Sequence, residues 1–343
     1  MVSYEKNEVI EKNNELPWIE KYRPKQIDQI ISHKEIIQSL KNFIEMKMLP
    51  HLLFFGPSGT GKTSTIISCA NEIYGIYVNC MVLQLNASNE RGIETVRTKV
   101  KNFVSNKNRF FLPLKERDIF KLVILDEIDS MTVEAQGMLR QTIEKNSVTT
   151  RFCLICNDID KINIALQSRC TLYRFSPLKY DDMMIRLVDI CKLEKIKYND
   201  NAIDAIIKIS KGDMRSAINI LQHVVLSAGN KITDKKIYKV SGHCMPSIIQ
   251  DIFVNLINLT KKRINLNQCI TNINNIVVEN NITIFNLLEE LKHMILNSDL
   301  KMEQKIFLID NLSQNEIYDS VNVDPFNIIM IISSLFVWQK IDK

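Results

Sequence analysis

The sequence contains no long hydrophobic run. Among its 343 residues, no apolar stretch approaches the roughly 18 residues that a membrane-spanning helix requires. Residues 1–16 are polar and charged and lack the apolar core of a signal peptide. These absences exclude an integral membrane protein, and we expect an intracellular protein with no membrane partner.

Paired cysteine motifs are also missing. The eight cysteines are scattered and lie mostly in apolar runs, which favours reduced, buried thiols over disulfides. Cys153 and Cys156 do have C-x-x-C spacing, but both lie in the run Arg151 to Cys156, which indicates a central strand. A metal or redox role for this pair is the alternative.

Neither sign of charge is in large excess. The formal net charge of +5 permits a nucleic-acid partner but does not demonstrate one. Hydrophobic residues make up 45% of the chain and charged residues 24%, proportions typical of a soluble globular protein. A length of 343 residues suits two or three domains.

The most informative stretch is Gly56 to Thr63, which reads G-P-S-G-T-G-K-T and fits G-x-x-x-x-G-K-[ST]. An apolar strand precedes it and a helix-compatible run follows it. The N–H groups of such a loop face phosphate oxygens, and the helix adds its positive N-terminal end. Lys62 can then reach the β and γ phosphates of ATP, while the Thr63 hydroxyl can ligate Mg²⁺. A chance glycine-rich turn is the alternative, and this context disfavours it. The predicted nucleotide contacts here are Gly56, Pro57, Ser58, Gly59, Thr60, Gly61, Lys62, Thr63 and Ser64.

Polar residues follow two further predicted strands. Asp126 and Glu127 come after the apolar run Lys121 to Leu125, and Asn157 comes after Phe152 to Cys156. The carboxyl ends of parallel strands point into one crevice. Asp126 is therefore placed to hold Mg²⁺, and Glu127 to orient and deprotonate an attacking water. Asn157 would lie at the level of the γ phosphate. Simple capping of the next helix by the two carboxylates is the alternative.

Strands and helices alternate up to Pro177, so right-handed crossovers should build one parallel sheet with helices on both faces. The predicted strands are His51 to Phe55, Met81 to Leu85, Lys121 to Leu125, Phe152 to Cys156 and Thr171 to Phe175. The predicted helices are Lys34 to Met46, Ser64 to Tyr74, Gly92 to Val104, Thr132 to Glu144 and Asp160 to Gln167. Before them, Leu16 to Lys25 contains two prolines and is expected to be extended, with a lining role.

Beyond Pro177 the sequence has helical periodicity and no strand signal. The predicted helices are Leu178 to Leu193, Asp200 to Ile209, Asp213 to Leu226, Asp234 to Val240 and Phe326 to Trp338, the last a buried helix. Arg215 lies in the first turn of one of them, where a cation is unfavourable unless an anion compensates, which argues for bound phosphate. We predict a disordered segment at 1–15, an α/β nucleotide-binding domain at 16–177, a helical lid domain at 178–243 and an all-α domain at 244–343.

A basic helix and an aromatic connection follow the second predicted strand. Arg97 and Lys101 lie four residues apart on one helix face, with Arg91 near the start of the helix. A solvated face and a phosphate-contacting face are both open interpretations. Phe110 and Phe111, in the connection of residues 106–120, either pack on the domain or anchor a partner.

The ordered set of motifs resembles an AAA+ ATPase: the phosphate loop, Asp126-Glu127, Asn157, Ser168-Arg169-Cys170 and Gly212-Asp213-Met214-Arg215. Other motifs resemble the small subunits of the eukaryotic clamp loader, replication factor C: Tyr22-Arg23-Pro24-Lys25, Asn86-Ala87-Ser88, Arg91-Gly92-Ile93 and Ala165 to Cys170. The run Thr150 to Asn157 points to the branch numbered 5 in human and 3 in yeast. The resemblance covers Leu16 to Leu226, and the remainder is similar only as a helical collar.

The resemblance implies a five-stranded AAA+ domain with a helical lid and an all-α collar. It further implies a nuclear heteropentamer, with one large and three other small subunits, that loads the sliding clamp PCNA onto primer-template DNA in replication and repair. ATP with Mg²⁺ would lie between neighbouring subunits. Arg169 would act in trans as an arginine finger in the adjacent site. The chain's own nucleotide would be served by Lys62, Thr63, Asp126, Glu127, Asn157 and Arg215, with Arg23 and Pro24 beside the adenine.

Three more groups of residues gain roles from the resemblance. Arg91, Arg97 and Lys101 match positions on a DNA-tracking helix. Phe110 and Phe111 match positions that touch the clamp. Gln136 and Arg140, which helical spacing leaves ambiguous between solvent and an interface, match residues that couple DNA binding to Glu127.

Two other functions stay open. One is an AAA+ motor of the branch-migration or origin-binding type, which the Ser-Arg-Cys context and the lack of an appended DNA-binding domain disfavour. The other is a scaffold subunit that binds nucleotide without turnover, which the intact Asp126 and Glu127 oppose.

Overall fold

The computed structural model describes residues 16–88, 93–106, 120–260, 264–280, 282–319 and 324–338. Residues 1–15, Arg91, Phe110, Phe111 and the side chain of Arg97 lie outside the described parts. Of the described residues, those up to Glu194 and those of Ser210–Asn219 form one compact unit, and Lys195–Ile209 and those from Ile220 onward form a second. The predicted domain boundaries stay a prediction.

The first unit contains a five-stranded parallel sheet in the order β2-β3-β4-β1-β5. The strands are β1 (Leu52–Phe55), β2 (Val82–Asn86), β3 (Lys121–Asp126), β4 (Thr150–Cys156) and β5 (Thr171–Arg174). The predicted parallel sheet is therefore confirmed, with small differences at the strand ends. β1, β3 and β4 are the interior strands, and their apolar runs suit strands covered on both faces.

The helices, in chain order, are α1 (Trp18–Lys21), α2 (Lys34–Glu45), α3 (Lys62–Tyr74), α4 (Val78–Met81), α5 (Ile93–Ser105), α6 (Val133–Asn146), α7 (Ile164–Gln167), α8 (Tyr180–Leu193), α9 (Asp200–Ser210), α10 (Met214–Ala228), α11 (Asp234–Ser241), α12 (Pro246–Thr260), α13 (Leu266–Glu279), α14 (Ile284–Asn297), α15 (Met302–Asp319) and α16 (Pro325–Trp338). Short 3-10 turns occupy Ile27–Gln29, Gly75–Tyr77, Ile128–Ser130 and Ile159–Lys161.

Alternating side chains of the sheet enter two separate cores. Phe54 and Ile124 pack in a cluster with buried residues of α2 and α3. Leu53 and Val123 face the other way and pack in a cluster with residues of α5, α6 and α7. This period-two alternation places helices on both faces of the sheet, as predicted, and leaves the carboxyl ends of the strands open at one edge.

Three local predictions were wrong. The segment Leu16 to Lys25 is not wholly extended, because α1 begins directly after Pro17, a position where proline fits, and ends before Pro24. The predicted helix Asp160 to Gln167 is interrupted, because the Asn163 side chain accepts a 2.9 Å hydrogen bond from the N–H of Ala165 and starts α7 anew. Strand structure does occur beyond Pro177, as described next.

The second unit contains a short parallel pair, β6 (Lys197–Tyr198) and β7 (Lys231–Ile232), which is too brief for a periodicity signal. Its largest apolar cluster contains buried residues from each of the five helices α12, α13, α14, α15 and α16. In α16, Ile329 and Phe336 are fully buried while Trp338 is 66% exposed, so this helix is buried on one face only. No helix among the described residues is long and apolar enough to span a membrane.

Candidate nucleotide-binding site

The phosphate loop joins β1 to α3 and is closely packed at two glycines. Gly56 has φ 141°, and a Cβ atom there would lie 1.9 Å from the carbonyl oxygen of Phe175. Gly59 has φ 65°, and its Cβ would lie 1.7 Å from Oδ1 of Asp213. Both the positive φ and the missing space require glycine. The loop is thus fixed against the residue after β5 and the residue before α10.

Lys62 lies inside the loop with its ammonium group fully engaged. Its Nζ lies 2.6 Å from the carbonyl oxygen of Gly56, 2.7 Å from that of Pro57 and 3.0 Å from Oδ1 of Asn157. Burial lowers the pKa of Lys62, against the opposing effect of the Asp126 charge. Phosphate oxygens are stronger acceptors than these neutral groups, so they can replace them around the ammonium.

Thr63 and Asp126, the two predicted Mg²⁺ ligands, lie in direct contact. The Thr63 hydroxyl donates a 2.7 Å hydrogen bond to Oδ2 of Asp126. Both are hard oxygen donors of the kind that Mg²⁺ prefers, and Mg²⁺ normally takes few protein ligands beside phosphates and water. The described residues contain no cluster of three or more His, Cys, Asp and Glu that could hold a metal by itself. The donor set therefore fits a metal ion shared with a phosphate.

Glu127 has an unusual backbone conformation. Its φ is 57°, in the left-handed region, which costs a non-glycine residue about 1–3 kcal/mol. Two contacts hold it there: its N–H donates to Oδ1 of Asp126 at 3.0 Å, and its carbonyl oxygen accepts from the Ser130 hydroxyl at 2.7 Å. The exposed side chain of Glu127 lines the same cleft as Lys62 and Thr63. In this conformation Glu127 lies in the lining of the cleft that the phosphate loop borders.

Asp129 fixes the position of Asn157. Its Oδ2 accepts hydrogen bonds from the backbone N–H groups of Asn157 at 3.2 Å and Asp158 at 3.4 Å. The loop after β3 is thereby tied to the loop after β4. Sequence reasoning missed this role, because nothing in the local sequence says which backbone groups a third carboxylate will meet.

The segment with Arg23 and Pro24 borders the cleft on its other side. The Tyr22 carbonyl oxygen accepts from Nη2 of Arg186 at 2.5 Å, and that of Pro24 accepts from Ser68 at 3.0 Å. The Tyr22 hydroxyl donates to Glu194, and burial beside this carboxylate raises the pKa of Tyr22. α3 and α8 therefore hold the segment in place.

Most of the predicted contacts line one cleft within the first unit. They are Arg23, Pro24, Ser58, Gly59, Thr60, Gly61, Lys62, Thr63, Ser64, Asp126, Glu127, Asn157 and Arg215. Gly56 and Pro57 instead direct their carbonyl oxygens to Lys62. The lining also includes residues that sequence reasoning missed, among them Ile30, Leu178, Asp182, Arg186 and Ile218. No local motif could have identified these, because they come from separate segments of the chain.

Arg169 is not among the residues that line the cleft. Its Nε lies 2.7 Å from Oε1 of Glu144, and Nε of Arg140 donates to the same oxygen at 3.0 Å. Gln136, by contrast, is only 2% exposed and accepts a 2.8 Å hydrogen bond from the N–H of Asn163. Helical spacing left Gln136 ambiguous between a solvent-facing position and an interface. The structure instead buries it inside the first unit.

Lys101 is exposed on α5. The other predicted DNA contacts, Arg91 and the side chain of Arg97, fall outside the described residues, as do Phe110 and Phe111.

The chain matches the family model described as "ATPase family associated with various cellular activities (AAA)" over residues 52–178. This match covers all five strands of the sheet and ends at Leu178, one residue beyond Pro177.

Named relatives match over much more of the chain. A protein of Acanthamoeba polyphaga mimivirus that carries the name replication factor C small subunit is 67% identical over 329 residues, 96% of each chain. Replication factor C subunit 3 of Schizosaccharomyces pombe is 41% identical over 88% of this chain and 84% of that protein. Replication factor C subunit 5 of Homo sapiens is 46% identical over 71% of this chain and 70% of that protein.

Among solved structures, the Thermotoga maritima RuvB Holliday junction branch migration motor has a TM-score of 0.51 at 17% identity, covering 76% of this chain and 86% of that chain. At this identity the likeness concerns the fold alone.

Proposed function

The chain belongs to the replication factor C small subunits, within the AAA family of ATPases, and from this we propose that it works in a heteropentameric clamp loader. Its partners in this proposal are one large subunit and three other small subunits. The complex uses ATP with Mg²⁺ to open the sliding clamp PCNA and to set it on primer-template DNA in replication and repair.

The observation that carries the proposal is the separation of Arg169 from the cleft. The cleft holds a phosphate-binding lysine, a pair of metal-binding oxygens and a strained glutamate, but Arg169 lies outside its lining, at Glu144. Lys62 and Arg215 line this cleft, but Arg169 is too far from it to act as an arginine finger in its own site. An arginine finger from a neighbouring chain would complete the site, and the position of Arg169 away from its own cleft fits an ATPase that works in an assembly.

The chain's residues divide the work of nucleotide binding. The loop from Ser58 to Thr63 places its N–H groups around the phosphates, and Lys62 exchanges its carbonyl partners for phosphate oxygens. Arg215, at the start of α10 and in the lining of the cleft, meets the same anion. Arg23 and Pro24 lie beside the base.

Thr63 and Asp126 would hold Mg²⁺, Thr63 through its hydroxyl and Asp126 directly or through a water. When bound, the metal neutralises charge that develops on the phosphate oxygens.

Hydrolysis depends on the carboxylate of Glu127. It orients a water against the γ phosphorus and takes up the proton that the water loses, giving ADP and phosphate. Asn157, held by Asp129, donates its amide N–H to the γ phosphate or the water. Arg169 of this chain acts in the adjacent subunit's site and has no role in its own.

DNA and clamp contacts are assigned to separate surfaces. Lys101, together with Arg91 and Arg97, contacts DNA phosphates, which the exposure of Lys101 on α5 supports. Phe110 and Phe111 are proposed to touch the clamp. Gln136 and Arg140, both on α6, would relay DNA binding toward Glu127.

The remaining parts of the proposal concern organisation and place. Residues 16–177 form the nucleotide-binding domain, 178–243 the lid and 244–343 the oligomerising collar, which a separate apolar cluster from Cys244 to Phe336 supports. Action in the nucleus is proposed from the eukaryotic relatives.

The test is to purify the tagged full chain from the cells that express it, together with its bound partners, and to assay the ATPase activity of the complex. We expect four partner subunits, and ATP turnover that rises when clamp and primed DNA are both added. If ATP turnover were the same with and without clamp and primed DNA, the proposal would be contradicted. Stimulation by four-way junction DNA instead would favour the branch-migration alternative. Turnover unaffected by Glu127→Gln in this chain would favour a scaffold role.

A further inference from the structure

A single carboxylate oxygen, Oε1 of Glu144, holds two guanidinium groups. Nε of Arg169 lies 2.7 Å from it, and Nε of Arg140 lies 3.0 Å from it. The side chains of Arg140, Arg169 and Glu144 are 44%, 47% and 31% exposed, respectively. The cluster is therefore open to another molecule while its internal contacts are made.

Arg140 donates its Nε–H to Glu144, and Nε is also the atom of Arg169 that lies nearest to this carboxylate. Among the described residues, neither guanidinium forms a hydrogen bond or an ion pair with any other group. An arginine has five N–H donors in a planar fork, so the terminal amino groups of each remain available for an anion. An arginine that its carboxylate engages through both Nε and a terminal amino group would be less free to bind phosphate.

The backbone that carries Arg169 is already fixed by α6 and by its own segment. Gln136 of α6 donates to the carbonyl oxygen of Lys161 at 3.0 Å and accepts from the N–H of Asn163 at 2.8 Å. Gln167 donates to the carbonyl oxygen of Ile162 at 2.8 Å. These backbone contacts do not set the direction of the Arg169 side chain. Among the described residues, the ion pair with Glu144 is the contact that sets it.

A carboxylate at this position has two opposing effects on the helix itself. Glu144 lies in the last turn of α6, which ends at Asn146, and the C-terminal end of a helix carries partial negative charge. The i,i+4 ion pair with Arg140 offsets this repulsion, and an exposed pair of this kind stabilises a helix only weakly, so removal of the carboxylate should change the stability of α6 little. A functional loss on its removal would come from the arginines.

We propose that Glu144 is a positioning residue for Arg169. It holds the guanidinium by Nε so that the two terminal amino groups face the γ phosphate of a nucleoside triphosphate bound by the adjacent chain. Arg140, on the same oxygen, leaves the cluster with a net positive charge, and its share of the carboxylate keeps Glu144 from closing over Arg169. This inference rests on the proposed function, because it requires Arg169 to act in a neighbour's site.

The experiment uses the assembled complex. Turnover at the adjacent subunit's site is isolated by changing the phosphate-loop lysines of the other subunits, Lys62 of this chain included, to alanine. Into this background go Glu144→Ala, Glu144→Gln, Arg169→Ala and the double variant Glu144→Ala with Arg169→Ala. The matched control is Glu134→Ala, which removes an exposed carboxylate from the same helix about 15 Å away.

We expect Arg169→Ala to lower kcat about a thousandfold or more, as loss of an arginine finger does. Glu144→Ala should lower kcat roughly ten- to hundredfold, the cost of a misplaced group, with the KM for ATP unchanged. Glu144→Gln, which keeps a neutral acceptor, should lose less. The double variant should be no slower than Arg169→Ala alone, and Glu134→Ala should match the unmodified chain.

Each other outcome has a distinct meaning. If Arg169→Ala slows turnover but Glu144→Ala does not, the positioning role is wrong and the proposed function stands. If the fold-losses in kcat of Glu144→Ala and Arg169→Ala multiplied in the double variant, Glu144 would act independently of Arg169, which also overturns the inference. If Arg169→Ala leaves turnover unchanged, or no partner subunits assemble, the proposed function itself fails and this inference fails with it.

Discussion

The Thr63 hydroxyl donates to Oδ2 of Asp126 across 2.7 Å, although 63 residues separate the two in the sequence. Thr63 follows β1 and Asp126 ends β3, and β4 lies between these strands in the sheet. The contact therefore depends on the parallel order of three strands, which brings two hard oxygen ligands to one point beside the phosphate loop.

This pair predicts how nucleotide binding depends on Mg²⁺. Thr63→Val and Asp126→Asn should each lower the gain in ATP affinity on adding Mg²⁺ by about tenfold, the scale of one lost charge-assisted contact. Thr63→Ser keeps the hydroxyl and is the matched control. Titration of a fluorescent ATP analogue with Mg²⁺ or with EDTA measures the difference. An unchanged Mg²⁺ gain in both variants would exclude these residues as the metal ligands.

Lys62→Ala should abolish detectable nucleotide binding by this chain. The change removes the ammonium proposed to meet the phosphates, and it leaves the buried carbonyl group of Gly56 and the partly buried one of Pro57 without their partner. Loss of that partner should also destabilise the ligand-free protein by about 1–3 kcal/mol. Calorimetry and thermal denaturation test the two effects. The control is Lys239→Ala, which changes an exposed lysine in a helix. If Lys62→Ala left the ATP affinity unchanged, the assignment of residues 56–63 as a phosphate-binding loop would be wrong.

Asp129→Ala should separate binding from turnover. It leaves the N–H groups of Asn157 and Asp158 without an acceptor and frees the Asn157 amide to move, so hydrolysis in the complex should fall roughly tenfold or more. ATP affinity should change little, because Lys62 and the loop are intact. Asp160→Ala removes a nearby exposed carboxylate and is the control. Equal losses in affinity and rate would indicate a general disruption of the site.

Neutralising Arg97 and Lys101 should weaken DNA binding by the complex and lower the salt dependence of its affinity. Each lost phosphate contact should reduce the slope of log K against log salt by about one. Lys99→Ala removes the same charge from a different face of α5 and should leave the slope nearly unchanged. The slopes are measured from the binding of primed DNA at several salt concentrations. If the variant and the unmodified complex gave the same slope, Arg97 and Lys101 would belong to a solvated face of α5 that does not contact DNA.

Stability should fall in mild acid because of His51. Its Nδ1 accepts the N–H of Phe152 at 3.2 Å, and burial, together with the charge of Arg151, lowers its pKa from 6.5 to about 4. Between these values the unfolded chain binds a proton that the folded chain does not, so stability decreases as pH falls through this window.

Melting temperatures from pH 7 to pH 4 test this expectation. His51→Asn keeps an acceptor near Nδ1 but cannot titrate, so its melting temperature should fall less steeply than that of the unmodified protein. His33, whose pKa burial also lowers, will leave part of the slope in place. His223→Asn, at an exposed histidine, should keep the full slope. Equal slopes in all three proteins would exclude His51 as a source.

Sequence reasoning was most successful where a short run contains its own physical signal. The apolar runs before Gly56, Asp126 and Asn157 predicted three strands, and the sheet places all three in its interior, where strands covered on both faces must be apolar throughout. The glycine spacing predicted the loop, because its backbone conformation excludes other residues. It failed at α1 and at β6 and β7, where the elements are too short for periodicity to register.

The sequence by itself determined that this chain has a phosphate loop, a parallel α/β sheet and carboxylates at the strand ends, since each depends on neighbours within a few residues. Only the tertiary structure decided which of these groups meet. Asp129 contacts the backbone of Asn157, Arg186 donates to the carbonyl oxygen of Tyr22, and Glu144 pairs with Arg140 and Arg169. Such contacts join residues far apart in the chain, and their partners are set by strand order and helix packing, which no local pattern encodes.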